Sequence, residues 1–80
     1  MKIQAVKQLV EQYSLSEIIR AEEMILDGKV PEIQIEGEDE GDQLTHAFAA
    51  KYILEKMESG MEYKDALREF TQKVRTSISS

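Results

Sequence analysis

Cysteine is absent from the chain, which removes disulfides, thiol redox chemistry, zinc–thiolate sites and cysteine nucleophiles together. An 80-residue chain is one domain, and it buries only about 60–65 % of its unfolded surface. Without cross-links its stability margin is thin, and oligomerisation is one common remedy. Long hydrophobic runs are missing too. No strongly apolar stretch exceeds four residues, so nothing reads as a membrane span. The opening Met1-Lys2-Ile3-Gln4 is interrupted by polar residues where a signal peptide needs an apolar stretch. A cytoplasmic setting is the expectation. Basic residues are missing from the middle of the chain: between Lys29 and Lys51 there are six acids (Glu32, Glu36, Glu38, Asp39, Glu40, Asp42) and no base. Taking those six from sixteen leaves ten acids against ten bases, so the whole formal charge of −6 sits in that segment. Such a field repels phosphate backbones and argues against general nucleic-acid binding.

What is present reads as helix. Ile3, Val6, Leu9, Val10 and Tyr13 make an amphipathic stripe over 3–13. Ser14-Leu15-Ser16-Glu17 fits a capping box opening a second helix, with Tyr13 and Ile18 placed as a hydrophobic staple. Ile18, Ile19, Ile25 and Leu26 are expected to face the core, and Gly28 to end the helix. The two helices are expected to form a hairpin. Pro31 forbids continuing a helix, and Ile33-Gln34-Ile35-Glu36 alternates with period two, which predicts a short extended or β segment lying across the helices or pairing with another chain. After an acidic, glycine-flanked loop at 36–42, Asp42 is expected to cap a third helix over 43–58, ended by Gly60. A fourth runs over 62–77 with Tyr63, Ala66, Leu67, Phe70, Val74 and Ile78 on one face, and the tail at 77–80 is expected to fray. The fold class is all-α: a compact four-helix domain, 1–80, with one extended segment between helices two and three.

Three features offer themselves for function. In the loop, Glu36, Glu38, Asp42 and His46 carry the oxygen and imidazole donors that a hard divalent cation uses, although the spacing matches neither an EF-hand nor a zinc motif. The same acids equally serve as helix-capping groups or a solvated turn, as a patch for a basic partner (Glu38, Asp39, Glu40), or as a mimic of nucleic acid. His46, the only histidine, projects onto the apolar side of the third helix and reads as a core or interface residue. That helix is apolar nearly all round and must be covered nearly all round; it is the expected central element, with Phe48 and Tyr52 available to a partner. On the last helix Lys64, Arg68, Thr71 and Arg75 form a basic stripe that could meet the acidic loop, within the chain or across a dimer. Glu22 falls among Leu15, Ile18, Ile25 and Leu26, where a carboxylate snorkels, titrates high or finds a base.

The chain resembles an uncharacterised family of short acidic bacterial proteins. The likeness rests on Leu9-Val10-Glu11 with Tyr13-Ser14-Leu15, on Ala21-Glu22-Glu23, and above all on Ile35-Glu36-Gly37-Glu38-Asp39-Glu40-Gly41 with Gln43-Leu44-Thr45-His46. It continues through Ala66-Leu67-Arg68, Phe70-Thr71 and Val74-Arg75. The resemblance implies no assigned activity and transfers no catalytic residue. The leading expectation is a non-enzymatic protein-interaction module, without cofactor, whose partner is itself as a homodimer or another protein; nucleic acid and membrane are not expected partners.

Overall fold

Ser14 starts the second helix as its neighbours require. In the computed structural model, which describes the main chain of residues 2–79 and side chains as far as Val74, the Glu17 N–H donates to Ser14 Oγ at 3.3 Å. In return the Ser14 N–H donates to Glu17 Oε1 at 2.9 Å. This reciprocal cap satisfies donors that a helix start leaves open. It leaves only Tyr13 and Ser14 between α1 (Ile3–Gln12) and α2 (Leu15–Leu26). α2 and α3 (Glu40–Glu58) each run out into a glycine at positive φ, 77° at Gly28 and 106° at Gly60. The next N–H then reaches back: Lys29 to the Met24 carbonyl at 2.8 Å and Met61 to the Lys56 carbonyl at 3.1 Å, which closes both helix ends. α4 (Tyr63–Ser79) completes the order, and among the described residues there are four helices and no strand.

α3 is the hub. α1, α2 and α4 each pack on it, and no other pair of helices packs comparably. The expected hairpin therefore does not form as a packed pair: the first two helices are joined in sequence but held by α3 rather than by each other. The buried residues of α3 are His46, Ala47, Ala49, Ala50 and Ile53. They meet Val6, Leu9 and Val10 from α1, Ile18, Ala21 and Ile25 from α2, and Ala66 and Phe70 from α4. Six of the fourteen buried hydrophobic residues are alanines. Helices approach closely across such side chains, but each contributes little buried apolar area.

Three further sequence expectations are corrected. No β segment forms: residues 30–37 are irregular and pair with no strand, although Ile33 and Ile35 turn toward the core while Gln34 and Glu36 turn out. Burial sets that alternation, and a single strand has no neighbour to complete a ladder. Second, α3 begins at Glu40, capped by Asp39 rather than by Asp42, so two of the loop acids are already helical. Third, Leu26 is 67 % exposed, because the buried face of α2 is centred on Ile18, Ala21 and Ile25. Ser80 and the side chains of 75–79, including Arg75, Ile78 and part of the stretch expected to fray, lie outside the described residues.

The Tyr63 hydroxyl oxygen is the one buried side-chain polar atom among the described residues without a hydrogen-bond partner, on a ring that is itself half-buried. Burial, with the Glu11 carboxylate adding to it, pushes its phenol above the ordinary value. Because the fold favours the neutral phenol, this contribution is present below about pH 10 and is lost as pH rises through the phenol range. Tyr63→Phe removes an unsatisfied donor while keeping the ring. Urea unfolding should show stability unchanged or raised by up to about 1 kcal/mol at neutral pH, with a smaller alkaline loss than the unsubstituted protein. A clear drop in stability at neutral pH would contradict this.

Candidate functional site

The N-terminal end of α3 gathers most of the loop residues, through capping. The Asp39 carboxylate accepts the Asp42 N–H at 2.8 Å, and the Asp42 carboxylate accepts the Glu38 N–H at 3.2 Å. One turn on, His46 is fully buried. Its Nε2 lies 2.9 Å from the Lys2 main-chain nitrogen and its Nδ1 lies 2.6 Å from the Glu36 carbonyl oxygen. An amide N–H can only donate, so Nε2 must accept, and Nδ1 must therefore carry the proton and donate to Glu36. The ring is a neutral clasp joining the start of α1, the loop and α3. Gln43 adds a second tie, its Nε2 donating to the Ile35 carbonyl at 3.2 Å. The loop lies so close that a Cβ at Gly37 would sit 2.8 Å from Gln43 N and Cγ.

This arrangement bears on the cation alternative. Glu36, Glu38, Asp42 and His46 come near one another, yet both ring nitrogens of His46 are engaged, and the Glu36 carboxylate faces Lys2 Nζ at 3.9 Å. Among the described residues no three His, Cys, Asp or Glu side chains converge as a ligand set. The Asp42 carboxylate oxygen nearest the ring is 3.7 Å from Nε2, outside hydrogen-bond reach. Glu38 and Glu40 are exposed; Asp39 and Asp42 are committed to the helix start.

A second site lies on the side of α3 that the other helices leave open. Between α2 and α4 runs a cleft of about 460 Å³, its apolar lining drawn from Leu26, Leu44, Phe48, Phe70 and Val74. Phe48 is 48 % exposed and Val74 38 %. Glu22 and Lys51 also line it and pair with each other, Nζ to Oε1 at 2.9 Å. The misplaced-looking Glu22 thus finds a base on α3, and Lys51 also sits 5.2 Å from the centre of the Phe48 ring. Sequence reasoning singled out Phe48 and the anomaly at Glu22. It missed Leu26, Leu44 and Val74 as companions, although a carboxylate amid an apolar stripe was the available signal that the stripe has a rim there.

Tyr52 belongs to a different environment. Its hydroxyl donates to the Glu69 carboxylate of α4. Its ring packs on Phe70 at 5.5 Å, with Lys56 and Lys73 ammonium groups 5.5 and 5.1 Å from its centre. The Tyr52 hydroxyl and the Lys56 ammonium, 3.2 Å away, hold the Glu69 carboxyl below the ordinary range, and bonding to Glu69 raises Lys56. Tyr52 is a strut between α3 and α4. Lys64 and Arg68 are exposed, and among the described residues neither pairs with the acidic loop. The base opposite that loop is Lys2.

These features define an all-α domain built round one central helix, with a polar clasp at one end of that helix and an open apolar cleft along its side. Residues 1–79 match a family of unknown function, DUF6952, and the chain belongs to that family. No curated protein and no solved structure matches it. No helix among the described residues is long and apolar enough to cross a membrane.

The clasp makes a spectroscopic prediction. Long-range proton–nitrogen correlation on the folded protein at neutral pH should show His46 protonated at Nδ1 and bare at Nε2; the opposite tautomer would refute the geometry. His46→Ala should lower stability by about 2–4 kcal/mol, through two orphaned main-chain groups and a cavity.

Proposed function

We propose that the protein is a non-enzymatic interaction module whose working surface is the cleft between α2 and α4, and that a second copy of the chain fills it. The observation that carries this reading is the exposure of Leu26, Phe48 and Val74 along one cleft on the uncovered side of the hub helix. Exposed apolar side chains that are contiguous rather than scattered mark association surfaces. Two further points support self-association. The core is rich in alanine, so burying the cleft adds apolar contact that the isolated domain has little of. The cleft's charges, Glu22 and Lys51, already neutralise each other, so two copies meeting there bring no unbalanced like charges together.

Light scattering across a concentration series tests this directly. A dimer is expected, and Leu26→Glu, at a position too exposed to matter for the core, should weaken it by about tenfold or more while leaving the helical circular dichroism intact. A monomer at every concentration contradicts the reading. A dimer indifferent to Leu26→Glu and to Val74→Lys would place the contact on another face and overturn the assignment of the cleft.

A further inference from the structure

The stretch from Val30 to Gly37 stands out for what its main chain does not do. The N–H groups of Val30, Glu32, Ile33, Gln34, Ile35, Glu36 and Gly37 have no acceptor within the described chain, and Pro31 has no N–H. Of its carbonyls only those of Ile35 and Glu36 accept a hydrogen bond, from Gln43 and His46. Both tied carbonyls are at its C-terminal end, so residues 30–34 are free on donor and acceptor sides alike. A run of unpaired main-chain groups is a template for another extended chain.

The surroundings suit that role. The stretch is a ridge between two clefts, one of about 560 Å³ reaching Ile25 and Gln43, the other of about 470 Å³ walled by Gln8, Gln12 and Tyr13. Gln34 and Ile35 line both. From Ile33 to Glu36 side chains already alternate, Ile33 and Ile35 toward the core and Gln34 and Glu36 outward, which is the period a paired strand needs; the bend at Glu32 and Ile33 is what a bound strand would straighten. The C-terminal end is anchored: Ile35 is buried, and Glu36 is held by the His46 clasp. Charge selects the occupant. Glu32, Glu36 and Glu40 line the two clefts against one base, Lys29, and the ion pairs that Glu32 and Glu36 make with Arg20 and Lys2 are exposed and exchangeable. A second copy would bring the same carboxylates against themselves.

We infer that residues 30–36 are a docking ridge for an extended, basic peptide segment, which adds to the ridge through main-chain hydrogen bonds and sets its lysine or arginine side chains against Glu32, Glu36 and Glu40. The ridge takes on strand pairing only when the peptide is bound. This mode draws affinity from main-chain bonds and selectivity from alternate side chains, and it is independent of the α2–α4 cleft.

The probe is a short synthetic peptide alternating lysine with threonine, titrated into the isotope-labelled full chain. Amide shifts confined to residues 30–37, with slowed exchange at alternate amides, are expected. The same peptide methylated on its main-chain nitrogens should bind about tenfold more weakly or worse, as should the counterpart with glutamate for lysine. Gln34→Pro deletes a free N–H and no intrachain bond, so it should keep the fold and weaken binding similarly. If that variant fails to fold, the methylated peptide carries the test alone. Shifts centred on Phe48 and Leu26, equal binding of the methylated or glutamate peptide, or no shifts at all would overturn the inference. So would protection of 30–37 that appears with protein concentration alone, since that would name a second copy as the occupant.

Discussion

The constraint on which the rest depends is that α3 has to be covered. Its apolar residues are spread round the helix instead of gathered on one face, so no single neighbour can shield them. Three helices arrive from three sides, and each is arranged relative to α3 before it is arranged relative to the others. Ala47, Ala49 and Ala50 permit close approach, and Ile53 supplies the largest apolar side chain that α3 buries fully. A hub with three spokes leaves a sector open, and Phe48 points into it. The cleft is thus a consequence of the architecture, since four helices in a chain of this length can wrap one of their number only incompletely.

The polar part of the interior obeys the same demand. A fully buried imidazole costs free energy unless its nitrogens are satisfied, and His46 meets that condition with two main-chain groups from other segments. In doing so it fixes where the chain enters α1 and where the loop leaves its irregular course. Gln43 and Gly37 act beside it, one by a side-chain bond to Ile35, the other by leaving no side chain in the way. The loop is therefore pinned at 35–37 and unpinned before that. This contrast separates a structural half of the acidic segment from a half whose main chain is free to recruit a partner.

Much of the fold was legible in the residues. The Ser14–Glu17 box, the glycine terminators at 28 and 60, and the near-complete apolar girdle of α3 are local patterns with one dominant physical reading each. The misreadings share a cause: small or short-range features outweighed the conspicuous ones. Asp39 and Asp42 are both good caps, and the choice between them depends on where the preceding chain is held, which the ties of Gln43 to Ile35 and of His46 to Glu36 settle. The face of α2 was misjudged because its centre is Ala21, a residue that a count of large hydrophobics passes over; allowing for it moves Glu22 to the rim and Leu26 out of the core. Period-two alternation at 33–36 reports burial correctly, but a strand also needs a partner. The ties of His46 to Lys2 and of Tyr52 to Glu69 join residues far apart in sequence, and no spacing rule contains them. Of the candidate site, Phe48 was visible as a surplus apolar residue on a helix already apolar. Leu44 and Val74 became its companions only through packing.

Native-state hydrogen exchange is the most direct test of the central claim, because it ranks helices by how completely the rest of the fold shields them. If α3 is the covered hub, amides from Ala47 to Leu54 should be the slowest in the chain and should exchange only on global unfolding, while α2 and α4 open at lower cost. Amides of α3 that exchange as fast as those of α4, or through a local opening that leaves the other helices protected, would contradict it.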